Sequence, residues 1–372
     1  MSETTANENL SQLADAGVSI WLDDLSRERL NSGNLAALIK TRCVTGVTTN
    51  PTIFAAALSN GEVYDEQLRS LGQVDVTEAI RELTSTDVRN ACDLFSEINQ
   101  STDGVDGRVS IEVEPGLARD TEGTVEQAAL LHQMVGRENV LIKIPAATEG
   151  LDAIRRTLAA GISVNVTLIF SVERYRQVME AWLGGLEDAL AEGKDISRIH
   201  SVASFFVSRV DAEVDKRLDA IGTEQATALK GRAAVANARI AYAAWLEIMT
   251  SERWGRLKAA GAHPQRPLWA STGVKSAEYS DTMYVTELVA DDCVNTMPEK
   301  TLEAVADHGE VTGDTITDNI DDAVQVLGQL QEVGIDMDDV VAQLEDEGVS
   351  KFVTSWDELV GTVGDAMKAA RS

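Results

Sequence analysis

Strand-like and helix-like segments alternate about eight times along this chain of 372 residues, and the alternation predicts an α/β fold, a (β/α)8 TIM barrel with additional helices. Three observations carry the prediction. Short apolar runs occur at 18–22, 44–48, 109–113, 140–144, 162–167 and 199–207, with weaker ones at 267–270 and 293–297. Several are apolar on both faces, as parallel strands covered by helices must be. Between them lie helical patterns: after Ser171, the residues Val172, Tyr175, Val178, Trp182, Leu186 and Leu190 recur at spacings of three and four. Gly161 stands where a terminating glycine would follow a helix over 151–160. Finally, the polar residues inside the apolar runs gather toward their C-terminal ends, where barrels place their functional groups. A doubly wound open sheet is the competing architecture. No GxGxxG follows a strand and no GxxxxGK[ST] occurs, which counts against it.

Only six prolines occur and no Pro/Ser-rich linker divides the chain, so residues 1–372 read as a single barrel domain. A barrel of about 250 residues leaves roughly 120 to place. They are expected in an N-terminal extension of about 1–17, in a long helical stretch over 224–260, and in an acidic helical C-terminal region of about 299–372. That last region has no Lys or Arg between 301 and 350 but 14 Asp or Glu. Asp336, Asp338 and Asp339 resemble the start of a calcium loop, but Val341 occupies the position that requires glycine, so a solvated helix start is the better reading.

Lys and Arg number 32 against 61 Asp and Glu, a formal charge of −29. Such a chain offers no basic face to nucleic acid. An anionic ligand would have to be held by a few local cations against the overall field. Cys43, Cys92 and Cys293 are distant and odd in number, so no disulfide framework is implied. His132, His200, His263 and His308 show no zinc-ligand spacing, so neither a metal nor a cofactor is expected. The N-terminal extension is polar and acidic rather than a secretory signal, and no uncharged apolar stretch is long enough to span a membrane. A cytoplasmic protein with no membrane partner is expected, as a homodimer or a monomer.

The polar residues at the strand ends are Asp23, Asn50, Glu112, Lys143, Asn165 with Thr167, and Ser204. Lys143 is the most telling, since VLIKIP surrounds it with aliphatic residues. Burying an ammonium is costly, so such surroundings favour the neutral amine. A neutral lysine amine is the nucleophile that forms Schiff bases with carbonyl compounds. A lone lysine here would more often snorkel from a strand edge; the neighbouring carboxylates and amides reverse that preference. Asp23 and Glu112 supply carboxylates for proton transfer, although each could equally be a helix cap or an ion-pair partner. Asn50 precedes Pro51 and could simply start the next helix. Arg209 and Lys275 are candidate phosphate ligands, the latter in the loop ASTGVKS at 270–276, where backbone amides, Ser271 and Thr272 suit an anion.

The segments GVTTNPTIF (46–54) and VLIKIPAATEGL (140–151) resemble the two signature segments of the transaldolases, and the likeness continues through RVSIE (108–112), GISVNVTLIFS (161–171) and SFFVSR (204–209). The resemblance covers the barrel from about 18 to 297. It implies transfer of a dihydroxyacetone unit between sugar phosphates of the pentose phosphate pathway, without a cofactor, through a Schiff base on Lys143. It further implies Asp23 as acid/base at the cleaved bond, and Glu112 and Thr167 around a proton-shuttling water. Asn50, Asn165 and Ser204 would bind substrate hydroxyls, and Arg209 the phosphate. Many family members carry an arginine as second phosphate ligand; Lys275 is the nearest candidate here, and lysine cannot form the bidentate fork. The related fructose-6-phosphate aldolases are shorter and tend to carry tyrosine where Phe206 stands, so length and Phe206 favour transfer over aldol release. A catalytically silent sugar-phosphate-binding barrel is the alternative from another class, and it would have no use for a buried lysine.

Overall fold

The computed structural model of the chain describes residues 6–59 and 61–371; residues 1–5 of the expected N-terminal extension and residue 372 lie outside the described residues. Eight parallel strands close on themselves in sequence order: β1 (Val18–Leu22), β2 (Val44–Val47), β3 (Arg108–Glu112), β4 (Val140–Pro145), β5 (Val164–Ile169), β6 (Ser201–Phe206), β7 (Gln265–Ala270) and β8 (Cys293–Met297). The ladder from β8 back to β1, Val18 opposite Cys293 through Leu22 opposite Met297, excludes the open sheet. Each expected strand is present, with ends moved by at most two residues. The expected helical stretch over 224–260 is built of three helices, Glu224–Thr227, Ala233–Met249 and Glu252–Ala259. The first break holds Gly231 at φ +71°, where a Cβ would meet the ring of Tyr279. No helix among the described residues is long and apolar enough to cross a membrane.

Period-two alternation sorts each strand into an inner and an outer face. On β1 the inner set is Ser19, Trp21 and Asp23, because Ser19 accepts a hydrogen bond from Arg266 on β7 at 2.7 Å and the indole of Trp21 lies against Gly46 on β2. Trp21 Nε1 donates to Asp106 at 2.8 Å, and Asp106 also takes the Ser19 hydroxyl and the Arg266 guanidinium. This network fills the floor of the barrel, the end away from the C-terminal mouth. Gly46 is required there by space rather than by backbone conformation: a Cβ would lie 2.6 Å from the indole.

The acidic C-terminal region ends in a helix of 35 residues, Met337–Arg371, which Asp336 caps by accepting from the amides of Asp338 and Asp339. The three aspartates thus start a helix, as expected. Val340, Leu344, Phe352, Leu359, Val363 and Met367 form its buried stripe. The stripe lies across the C-terminal mouth: Gly348 approaches Leu168 and Phe170, and Ser355 shares a hydrogen bond of 2.8 Å with Thr52. Ion pairs Arg217–Asp339, Arg174–Glu345 and Arg119–Asp346 flank it. Exposed pairs of this kind contribute about 0–1 kcal/mol each, whereas a fully buried Leu or Phe contributes about 1.5–3 kcal/mol. The apolar stripe therefore seats the helix and the ion pairs orient it.

Gly46→Ala should displace Trp21 and destabilise the fold by about 1–3 kcal/mol, the usual range for overpacking a core. A urea midpoint that falls at unchanged m value is the expected result; an unchanged midpoint would show that the floor yields.

Candidate active site

Parallel register sets the site. Glu112 on β3 pairs with Lys143 on β4, which pairs with Asn165 on β5, so three inner-face polar side chains stand in one row at the mouth. The Lys143 side chain is 5% exposed and that of Glu112 is 3% exposed. The Lys143 ammonium donates to the carbonyl of Thr49 at 3.1 Å and lies 3.3 Å from Glu112 Oε2. Neither Glu112 oxygen has an aligned hydrogen-bond partner within the protein, and the Thr167 hydroxyl beside it on β5 has none either. Burial pushes Glu112 up to about 7, against the pull of Lys143 and with a small push from Asp23.

Asp23 closes the row from the opposite wall. Its amide bonds to Met297 O, the next rung past the β1–β8 ladder, and Thr48 donates to its carboxylate at 2.7 Å. Thr48 in turn shares a hydrogen bond of 2.6 Å with Thr296. Burial raises the Asp23 pKa, while the Lys143 charge and the Thr48 hydroxyl oppose it. The amine thus lies against the Glu112 carboxylate and acts on that of Asp23 through its charge, each carboxylate with its acidity weakened by burial.

Above this row lies a chamber of about 240 Å³ that opens to solvent. Asp23, Asn50, Lys143, Ser204, Phe206, Arg209 and Lys275 all line it, so seven of the ten candidate residues meet at one cavity. Asn165 does not line it. It is fully buried, donating to Ser110 at 3.0 Å and accepting from Ser204 at 2.7 Å, and so it fixes the Ser204 hydroxyl from below. Glu112 and Thr167 do not line it either, Glu112 lying 3.3 Å from the amine. Asn50 serves two roles: it lines the chamber, and its side chain caps the helix Pro51–Ser59 by accepting from Ile53 N at 3.0 Å.

The outer end of the chamber is cationic. Arg209 sits in the first turn of the helix Ser208–Ile221, its guanidinium 5.2 Å over the ring of Phe206. Lys275 comes from the loop after β7, where Ser271 holds φ +56° and shares a hydrogen bond with Ser208. The expectation that Thr272 faces an anion is corrected: it is fully buried, and its hydroxyl is taken by Thr296 O at 2.8 Å. Chamber residues outside the sequence expectations include Lys351 and Phe352 of the C-terminal helix, the latter with its ring 5.8 Å from the Lys143 ammonium. Thr48 and Thr296 are also additions, although alternation from Gly46 and from Val294 puts both on the inner face. Among the described residues no group of three His, Cys, Asp or Glu is placed to hold a metal ion.

A closed parallel barrel with a buried lysine beside a carboxylate at its C-terminal mouth has the architecture of enzymes that use an amine nucleophile. The chain belongs to the transaldolase/fructose-6-phosphate aldolase family, whose profile matches residues 20–363. It is 61% identical to a transaldolase of Thermobifida fusca over 362 residues, covering 97% of this chain and 98% of that one. It is 60% identical over 367 residues to a transaldolase of Mycolicibacterium smegmatis, covering 98% and 99%.

Glu112 binds its proton more tightly folded, near pH 7, than unfolded, near 4.5. Below both values it contributes nothing to the pH dependence of stability. Between them the unfolded chain releases a proton that the folded one keeps, so stability falls as pH rises through the window. Glu112→Gln should remove that part of the slope in urea midpoints measured from pH 4.5 to 7; parallel profiles for variant and wild type would contradict the assignment.

Proposed function

We propose that the chain moves a dihydroxyacetone unit from a ketose phosphate, sedoheptulose 7-phosphate or fructose 6-phosphate, to an aldose phosphate, glyceraldehyde 3-phosphate or erythrose 4-phosphate. The transfer runs through a Schiff base on Lys143 and is the transaldolase step of the non-oxidative pentose phosphate pathway. The observation that carries the reading is the Lys143 amine, buried against Glu112, acting on Asp23 through its charge and open to a chamber with cations at its far end.

The Lys143 amine adds to the ketone carbon, and the carbinolamine loses water to give an iminium. A water between Glu112 and Thr167, whose polar atoms have no protein hydrogen bond, relays the protons of that dehydration. Asp23 then takes the proton from the hydroxyl next to the cleaved carbon–carbon bond, and the bonding pair flows into the iminium to leave an enamine. The aldose phosphate departs with its new aldehyde. An incoming aldose phosphate reverses these steps, Asp23 returning its proton to the new hydroxyl, and hydrolysis of the iminium frees Lys143. Asn50 and Ser204 bind substrate hydroxyls, Asn165 acting through Ser204, while Phe206 gives an apolar wall and Arg209 and Lys275 take the phosphate. The iminium is the electron sink, so the cycle needs no metal. Three free cysteines support placing the activity in the reducing cytoplasm.

Borohydride reduction in the presence of fructose 6-phosphate should leave a stable adduct on Lys143, located by peptide mass. Lys143→Ala should lose both adduct and turnover while keeping its circular dichroism; an adduct that persists in this variant would sink the reading. Asp23→Asn keeps the shape but cannot accept the proton. It should still form the ketose adduct yet slow aldose release by about 100-fold or more, and failure to form the adduct would place Asp23 earlier in the cycle.

A further inference from the structure

We propose that Lys351 of the C-terminal helix is a third phosphate-binding cation, closing the sugar-phosphate site from above. The inference rests on the transfer reading and adds a residue from outside the barrel to it. Arg209, Lys275 and Lys351 come from three separate parts of the fold, a helix start after β6, a loop after β7 and the roof helix, yet line the same cavity. The same three, with Ser271, also line the outer cavity that opens from it, so they stand around the neck between the two.

None of the three forms an ion pair within the protein among the described residues; Arg209 instead rests on the Phe206 ring. The carboxylates facing this neck from the packed elements are Glu213 and Glu347 in the outer cavity and Asp23 in the inner one. Glu347 precedes Lys351 by four residues, a spacing that favours an intrahelical ion pair, but the pair is not made. The Lys351 ammonium is instead disfavoured, first by Arg209, then by burial and by Lys275. In a chain of charge −29, a cluster of cations held together without a direct ion pair is matched by an anionic ligand, and a phosphate monoester carries nearly two negative charges and several acceptor oxygens.

Helix geometry explains why Lys351 is aimed there. Gly348, Phe352 and Ser355 touch the barrel: a Cβ on Gly348 would lie 3.2 Å from Leu168, Phe352 covers Lys143, and Ser355 bonds Thr52. Lys351 is three residues after Gly348 and four before Ser355, so it shares their face. Two lysines then act as point charges beside the Arg209 fork at the neck.

The test uses the full chain and compares fructose 6-phosphate with fructose as donors. Lys351→Gln should raise KM for fructose 6-phosphate about tenfold, the loss of one charge-assisted contact, with the loss falling on KM rather than kcat. It should weaken competitive inhibition by inorganic phosphate by a similar factor, and Lys351→Arg should restore both. Lys368→Gln removes the same charge from the far end of the same helix, where the ammonium is paired with Asp365, and should change neither. An unchanged KM in Lys351→Gln overturns the proposal. So does an equal loss with both donors, which would make Lys351 a structural part of the roof, or an equal effect of Lys368→Gln, which would make it one of overall charge. If wild type forms no borohydride-stable adduct, the transfer reading itself fails; a trapped adduct with unaltered phosphate dependence in the variant defeats this inference alone.

Discussion

The structure depends on keeping one lysine amine out of water and within reach of two carboxylates. Lys143 and Glu112 lie 3.3 Å apart with almost no solvent access. Taking either charge out of water alone would cost several kcal/mol, so each is tolerable only because the other is there. Their adjacency is not left to side-chain flexibility: the register of β3 on β4 makes them direct neighbours. The closed barrel is what holds that register, since slipping any strand by one residue would turn its inner face outward. The floor network around Trp21, Asp106 and Arg266 locks β1 and β7 from below, and so supports the mouth without taking part in it.

The same constraint shapes the charge distribution. At −29 the protein repels anions at long range, but the repulsion is screened beyond about 8 Å at physiological salt. Inside the neck, local cations decide. Burial works against the charge of Arg209, and the carboxylates of Asp23 and Glu347 support it from a distance. Its guanidinium is held by the Phe206 ring rather than by a carboxylate, a contact that costs none of its charge. Most other arginines on the surface are paired: Arg253, for instance, takes both Glu180 and Glu187. Acidic residues thus pair with surface arginines and help pin the roof helix, while the unpaired Arg209, Lys275 and Lys351 line the chamber.

How much of this is visible in the sequence follows from which positions a simple period can fix. Alternation along a strand places Asp23, Glu112, Lys143 and Ser204 on the inner face without further information, and the structure brings all four to the mouth. Loops have no period, which is why the Thr272 hydroxyl, expected at a ligand, bonds Thr296 O instead. Lys351 and Phe352 escape the sequence for another reason. Their helix carries an apolar stripe that can be read directly, but the stripe does not say which surface it covers, and only tertiary docking puts it over the barrel mouth. The helical stretch between 224 and 260 is divided first where Gly231 holds positive φ against the Tyr279 ring, a neighbour remote in sequence that local propensity cannot supply.

The two ends of the barrel differ in how far they satisfy ordinary folding rules. At the floor Asp106 alone receives Ser19, Trp21 and Arg266, although Gln265 Oε1 is buried there without a partner and Cys43, Asp103 and Asp292 hold positive φ before their strands. At the mouth the rules are broken together. Glu112 and Thr167 bury polar atoms without hydrogen bonds. Leu168 and Ser271 sit at positive φ beside them, Leu168 where the β5–β6 register shifts and Ser271 where β7 ends. Three cations crowd the neck. Each such feature costs stability, roughly 1–3 kcal/mol for a strained backbone position or an unpaired buried polar group. The floor carries some of the same costs, but at the mouth the orphaned Glu112 and Thr167 atoms stand beside the buried amine, where the reacting groups of a substrate would supply the missing partners.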